Sequence, residues 1–597
     1  MPASQTKLAS LIAQAQAQMQ LSSISSGASN HSASPPPADA AASSLGLINY
    51  TVNAVPSSEF TLEDQKKRDT QFAPITHPSH RYIVHSHEGH SLPHYKEEEP
   101  PLFYLLTTYI SYLILIIFGH VRDFFGKRFK KEKYAHLMER NGYAALNSDF
   151  DSFYVRRLKE RLDDCFARPT VGVPGRFVTL IDRNRKTFEF TGTTTECLNL
   201  SSYNYLGFAQ SEGQCADAAE EIARRYGTST NSSRAEVGTT DLHVETEDLI
   251  ARFIGKEAAM VFSMGYATNA FAFSSLMSKG CLIISDELNH ASIRFGARLS
   301  GAVIKTFKHN DMKDLEHLVR ENISQGQPRT HRPWKKILVV VEGLYSMEGD
   351  FCDLPVLVEL KEKYKFYLFV DEAHSIGAIG PKGRGVCDYF GIDPSRVDIC
   401  MGTLTKSFGA TGGYIAADKH IIDALKLSNI GYIYAEAMSP PVLAQIEAAL
   451  RTIMGEIMPG EGDERLQRIA FNSRYLRLGL RRLGFIVSGQ DDSPIIPLML
   501  YSPAKMPAFS HEMLRRKIAV VVVGYPATPL ISSRVRFCVS AALNKEDLDK
   551  ILRACDEIGD ALLLKFSPPN EKGECKRWKV EDVIRKGVID SKRDDLE

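Results

Sequence analysis

Lys406 stands among hydroxyls and glycines directly behind an apolar run. The stretch Gly402-Thr403-Leu404-Thr405-Lys406-Ser407-Phe408-Gly409-Ala410-Thr411-Gly412-Gly413 follows the strand-like Val397-Asp398-Ile399-Cys400-Met401. A lysine so placed condenses with an aldehyde once desolvation lowers the cost of shedding its proton. The small residues around it let backbone and hydroxyl donors approach an anion. A surface lysine in a glycine loop is the plain alternative, and the rest of the chain must decide. Four further apolar runs end in polar clusters: Ser263-Met264-Gly265-Tyr266, Ser285-Asp286-Glu287-Leu288-Asn289-His290, Glu342-Gly343-Leu344-Tyr345-Ser346 and Asp371-Glu372-Ala373-His374. Open α/β sheets gather ligand contacts at the C-terminal ends of their strands. One aspartate after an apolar run is ordinarily a cap or a turn residue, but five polar strand ends converging on one lysine ask for more.

Pyridoxal phosphate chemistry needs such a set. Its ring nitrogen stays protonated only beside a buried carboxylate, which Asp371 at a dry strand end supplies. Its aldehyde needs Lys406. Its phosphate needs backbone N–H groups at a helix start, provided by Gly265 and Tyr266, with the Thr403 hydroxyl added. His290 suits a plate over the ring, although Asn289-His290 also suits the plain role of capping the next helix.

The elements that must position these residues read as α/β. Ala258-Ala259-Met260-Val261-Phe262, Cys281-Leu282-Ile283-Ile284, Ile337-Leu338-Val339-Val340-Val341 and Phe366-Tyr367-Leu368-Phe369-Val370 alternate with amphipathic helical stretches, the pattern of a mostly parallel sheet covered on both faces. Residues 195–430 are assigned to this large domain, after an N-terminal arm at 136–194. A helical pair from Leu443 to Leu483, strands near Gly484–Val487, Ile495–Leu500, Ile518–Val523 and Val535–Ser540, and a helix at 545–565 make a smaller α+β domain at 431–565. A charged tail follows at 566–597, helical near Val580–Ile584. Residues 1–92, rich in Ala, Ser, Gln and Pro, read as disordered, and neither a signal peptide nor a transit peptide is indicated.

Between Glu99 and Arg122 lie 22 residues without a charged side chain, long enough to cross a bilayer, within a membrane segment and basic flank at 93–135. Glu97, Glu98 and Glu99 precede them, and Arg122, Lys127, Arg128, Lys130, Lys131 and Lys133 follow, which puts the C-terminal side in the cytosol. A helix lying in the interface is the alternative, because Thr107, Thr108 and Ser111 dilute the run and Phe124, Phe125 and Phe129 prolong it. With 72 basic and 72 acidic residues the chain has no general attraction for nucleic acid. Its ten cysteines form no Cys-x-x-Cys pair and no His cluster accompanies them, so reduced thiols and no metal are expected.

Residues 195–560 resemble the α-oxoamine synthase family of fold-type-I pyridoxal phosphate enzymes. The resemblance rests on Asn199-Leu200-Ser201-Ser202-Tyr203-Asn204-Tyr205-Leu206-Gly207, Asn289-His290-Ala291-Ser292-Ile293, Asp371-Glu372-Ala373-His374-Ser375-Ile376-Gly377, Gly383-Arg384-Gly385 and Thr405-Lys406-Ser407-Phe408-Gly409. Finer motifs at Val341–Asp350, Thr403–Ile415, Asp492–Tyr501 and Val520–Leu530 are similar to members that condense L-serine with palmitoyl-CoA at the endoplasmic reticulum membrane. The resemblance implies Lys406 as the aldehyde-binding lysine, Asp371 as the partner of the ring nitrogen, His290 as the stacking residue and His374 as a donor to the ring oxygen or substrate. It also implies Asn204 and Arg536 as substrate contacts. Strand alternation puts Arg534 and Arg536 on one face, so spacing alone does not choose between them. At Glu436, relatives usually carry a threonine or serine whose hydroxyl serves the cofactor phosphate of the neighbouring subunit. A carboxylate would repel that phosphate, which agrees with the implied heterodimer with a homologous subunit lacking the lysine; small regulatory membrane subunits are further implied partners. The rival readings are a glycine-using member of the family and a non-catalytic scaffold, the latter disfavoured by the joint presence of Lys406, Asp371 and both histidines.

Overall fold

The computed structural model describes residues 69–92, 102–139, 141–145, 147–149, 153, 157, 160–185, 187–525, 527–566 and 577–587, all within the unit Ser57–Glu597. Its strands are β1 (Thr170–Val171), β2 (Phe177–Arg183), β3 (Phe190–Asn199), β4 (Ala258–Phe262), β5 (Leu282–Asp286), β6 (Val303–Phe307), β7 (Ile337–Glu342), β8 (Tyr367–Asp371), β9 (Ile399–Thr403), β10 (Gly413–Ala417), β11 (Ile495–Met499), β12 (Ile518–Ala519), β13 (Val521–Val523) and β14 (Arg534–Cys538). The seven-stranded sheet has the order β4-β10-β9-β8-β7-β5-β6. Its pairs from β6 to β9 are parallel, whereas β10 runs antiparallel to both β9 and β4.

Both faces of this sheet are dry, which is why its strands are continuous apolar runs. In β7, Val339 and Val341 join one core cluster while Leu338 and Val340 join another. Ala259 and Val261 of β4 likewise face the first, and Met260 and Phe262 the second. The reversed β10 is the return limb of a hairpin, with Gly413 opposite Thr403, and residues 404–412 of its loop carry Lys406. Gly412 has φ +91°, and a Cβ there would lie 2.2 Å from the Phe262 carbonyl oxygen, so only glycine turns the chain here.

The second half is less separable than expected. The run Ile518–Val523 is divided between two sheets. Within it β12 pairs in parallel with β3, in the order β1-β2-β3-β12, and β13 joins β11 and β14 in the order β11-β14-β13. The arm assigned to 136–194 is therefore part of the C-terminal half: β3 runs through the boundary at 194, and Arg176 grips Asp547 with two hydrogen bonds of 2.8 and 2.9 Å. The helical pair is present as Pro440–Ile453 and Glu461–Arg482, and Lys545–Ala561 closes the unit.

Of the stretch read as disordered at 1–92, residues 1–68 lie outside the described residues. Residues 69–92 lie across the body instead. Ala73 is buried and exchanges backbone contacts with Ala542 and the Arg468 guanidinium, and Phe72 sits under both Arg465 and Arg468. Composition missed this because a strap docks through a few side chains rather than through a periodic face. In the tail, helix Val580–Lys586 buries Val583 against the Lys545–Ala561 side of the core.

Helix Leu102–Phe129 is the one helix among the described residues long and apolar enough to cross a membrane by length and composition. One stripe of it is buried. Tyr104 packs on Phe566 at 4.5 Å, Thr108 and Tyr112 are covered, and Asp123 pairs with Arg157. The remaining faces expose Phe103, Leu106, Leu113, Ile117, Phe118, Phe124 and Phe129. Nine of the ten cysteines are described, all buried and free.

Candidate active site

Four elements converge at the C-terminal end of the central sheet around a cavity of about 270 Å³. Glu342 and Asp371, last residues of β7 and β8, are register partners and therefore project from the same face. Asp371 is buried; it accepts from Asn269 Nδ2 at 2.7 Å and from the Ala373 N–H at 2.9 Å. Asn269 stands one turn beyond Gly265 in helix Gly265–Leu276, so the helix that opens at the cavity also steadies this carboxylate. No side chain caps the first turn of that helix, and its free N–H groups with the positive end of its dipole face a pocket wall that includes Gly265, Tyr266 and Thr403. A Cβ on Gly265 would meet Thr403 Oγ1 at 2.8 Å and the Gly412 carbonyl at 3.2 Å, so the wall is bare backbone by necessity.

Lys406 is half-buried with its Nζ 5.4 Å from the centre of the Tyr203 ring. Desolvation lowers its pKa to about 8, against the opposing pull of Asp371 and Glu342. His290 caps a helix and lies on the cavity wall. Its side chain accepts from the Ser292 N–H at the start of helix Ala291–Leu299, and its ring lines the cavity. Its backbone N–H donates to Glu342. His374 is buried with Nδ1 2.8 Å from the Tyr205 hydroxyl, and burial, reinforced by the Lys406 charge, holds its pKa well below the usual imidazole value. Burial and the nearby Asp371 push Glu342 well above the ordinary carboxyl range.

The two arginines of β14 separate cleanly. Arg534 donates to the Met347 carbonyl at 2.8 Å and lies 3.7 Å from Glu348. Arg536 is just as deeply buried, yet among the described residues no carboxylate pairs with it. Its guanidinium lies 4.6 Å over Tyr203, its Nη1 reaches only Met347 Sδ at 3.7 Å, and its Nε has no partner. A buried cation without an anion is a binding site for one.

Residues 195–555 match the family described as aminotransferase class I and II. Over 551 residues the chain is 59% identical to serine palmitoyltransferase 2 of Schizosaccharomyces pombe, covering 89% of this chain and 91% of the relative. Over 553 residues it is 59% identical to serine palmitoyltransferase 2 of Saccharomyces cerevisiae, covering 92% and 98%. The chain belongs to the serine palmitoyltransferase family. Among solved structures, the Sphingomonas wittichii serine palmitoyltransferase superposes with a TM-score of 0.57 at 32% identity, over 62% of this chain and 89% of that one. A structure described as SPT with its pyridoxal phosphate internal aldimine gives 0.61 at 28% identity, over 70% and 100%.

As a member of that family the chain has a cavity that fits pyridoxal phosphate. The uncapped helix start and Thr403 suit a phosphate, Asp371 a ring nitrogen, the His290 ring a flat face, and a lysine of lowered pKa an aldehyde. Asn269 Oδ1, buried and without a partner, is a further acceptor at the Asp371 end.

Neither residue expected to bind substrate lines the cavity itself: Arg536 lies buried against Tyr203 of its wall, and Asn204 lies away from it. The Asn204 side chain is spent on the fold: Nδ2 donates to the Pro174 carbonyl and Oδ1 accepts from the Ala209 N–H. Its neighbour Tyr203 lines the cavity instead. Asp286, one of the five polar strand ends, is also diverted, binding His309 and the Leu288 N–H. Sequence reasoning missed Asn269, Tyr203 and Glu342 as site residues. The i, i+4 spacing of Gly265 and Asn269 on one helix was the signal available for the first.

Proposed function

We propose that this protein is the lysine-bearing catalytic subunit of a serine palmitoyltransferase, condensing L-serine with palmitoyl-CoA, with release of CO2 and CoA, to give 3-ketodihydrosphingosine. The observation that carries this reading is a desolvated Lys406 lining one cavity with Asp371, while the buried Arg536, whose Nε has no partner, lies against Tyr203 of the cavity wall. Asp371 and the helix start at Gly265 would hold pyridoxal phosphate, which when bound would supply an electron sink for the bonds at the amino-acid Cα. Arg536 binds the serine carboxylate and fixes which bonds of Cα face the ring. Lys406 Nζ, whose lowered pKa lets it exist as the free amine near neutrality, accepts the Cα proton. His374 is held neutral by burial with Nδ1 turned to Tyr205, so its other ring nitrogen serves the substrate side.

The apolar faces of helix Leu102–Phe129, followed by Arg122, Lys127, Arg128, Lys130 and Lys131, support attachment to the endoplasmic reticulum membrane with the catalytic body on the cytosolic side. Glu436 is exposed, joined to Ser233 by an isolated β-bridge and absent from the lining of the chain's own cavity. That placement supports a heterodimer in which a homologous subunit without the lysine, rather than a second copy, completes the site, with small regulatory membrane subunits as further partners. Labelled L-serine, glycine and L-alanine, offered with a series of acyl-CoA chain lengths to the chain alone and co-expressed with that partner, test the reading. Preference for serine with a long acyl chain, and turnover that requires the partner, are expected. Preference for glycine with a short acyl group overturns the substrate assignment, and full turnover by a homodimer overturns the assembly.

A further inference from the structure

Tyr203 touches every group that handles the amino acid, and no role has been given to it. Its ring carries the Arg536 guanidinium at 4.6 Å and the Lys406 ammonium at 5.4 Å from its centroid, and it meets His374 edge-to-face at 5.2 Å and 72°. The loop that presents it is clamped from both sides. Asn204 holds Pro174 and Ala209, and the Leu200 backbone is bonded to Ala519 and Cys538. An incoming carboxylate can thus choose between two cations, Lys406 on the cavity wall and Arg536 buried against Tyr203, with one aromatic ring in contact with both. A carboxylate that settled on Lys406 would keep that amine protonated and deny the reaction its base.

We propose that Tyr203 is a positioning residue for the amino-acid substrate: its ring face fixes the Arg536 guanidinium apart from Lys406, so that the substrate carboxylate is directed to the arginine. The face of the ring does most of this, because cation–π attraction acts through the ring quadrupole, and the hydroxyl, which also interacts with Arg536, adds a smaller part. This rests on the substrate reading above, and its test separates the two.

Tyr203→Phe and Tyr203→Leu are prepared in the cofactor-loaded enzyme co-purified with its partner subunit. Dissociation constants for L-serine and for L-serinamide, which lacks the carboxylate, are read from the change in cofactor absorbance, alongside the KM for palmitoyl-CoA and thermal unfolding. The phenylalanine variant is expected to bind serine within about twofold of wild type. The leucine variant is expected to bind serine roughly tenfold more weakly, the size of one desolvated cation–π contact. Serinamide binding and the palmitoyl-CoA KM are expected not to change. Unchanged serine binding in the leucine variant, equal weakening in the phenylalanine variant, or equal weakening toward serinamide overturns the proposal. If wild type prefers glycine, the substrate reading fails on its own, and the same comparison is made with glycine and glycinamide.

Discussion

Lys406 in the cofactor-free protein should titrate near pH 8 rather than at the ordinary lysine value of 10.5, because burial removes water from its ammonium. At pH 7 a pKa of about 8 leaves roughly 9% of the amine neutral, against roughly 0.03% for an unperturbed lysine, a ratio of about 300. That ratio is the head start of Lys406 over any surface lysine in reaching an aldehyde. Competitive labelling of the apoprotein with trace amine reagent between pH 6 and 10.5, with N-acetyl-lysine methylamide as the internal standard and peptide mass spectrometry as readout, measures it directly. The labelling of Lys406 should rise through a midpoint near 8 and then level off while the standard is still rising. The charge of Asp371 opposes the shift, so Asp371→Asn should move the midpoint further down. A midpoint at 10 or above, or an upward move in Asp371→Asn, refutes the claim that desolvation sets the reactivity of this lysine.

Two other perturbations bear on binding and stability. Gly265→Ala puts a methyl group 2.8 Å from Thr403 Oγ1 at the helix start, an overpacking that costs about 1–3 kcal/mol, so the apoprotein should unfold at a lower temperature, and cofactor affinity, measured by absorbance titration, should fall as well because the bare backbone wall is lost. His309 is partly buried, which lowers its pKa, but its hydrogen bond to Asp286 and the Asp350 carboxylate 3.9 Å away outweigh that and raise it to about 10. A raised folded-state pKa gives stability that is fully present below about 6.5 and lost as pH climbs toward 10. Thermal unfolding of His309→Gln should therefore show a larger deficit against wild type at pH 6 than at pH 9.5; an equal deficit at both would show that only packing on Tyr345 is lost.

The central sheet could be read from the chain because strands dry on both faces must be apolar throughout, and the polar residue that stops each run then marks the site end of the sheet. β6 escaped that reading since it is an edge strand with Ile304, Lys305 and Thr306 exposed. β10 escaped it as the short return of a hairpin. Lys406, Asp371, His290, His374, Gly265, Tyr266 and Thr403 were found because each terminates or follows such a run, and all of them line one cavity. Tyr203 and Arg536 come from outside the central sheet, on a loop and a strand brought to its mouth by the pairing of β3 with β12 and of β14 with β11 and β13. Pairings between residues hundreds of positions apart leave no periodic trace, which is also why the choice between Arg534 and Arg536 stayed open.

Electrostatics favours Arg536 in that choice. Both guanidiniums are buried and both point to one side of β14, but Glu348 lies beside Arg534, whereas Arg536 lies against the Tyr203 ring, the Met347 thioether and the Cys538 thiol with no carboxylate paired to it among the described residues. Around Arg536, burial has also pushed three titratable groups toward their uncharged forms: His290 and His374 by lowering, Glu342 by raising. The cationic groups left beside them are Arg536 and Lys406. An amino acid entering this cavity meets one carboxylate already engaged by Asn269, one lysine poised to lose its proton, and one arginine without an anion. Its carboxylate gains most at the arginine, since pairing there relieves a desolvation cost that the fold bears without compensation. The same arrangement leaves Lys406 free to act as a base instead of as a counter-ion.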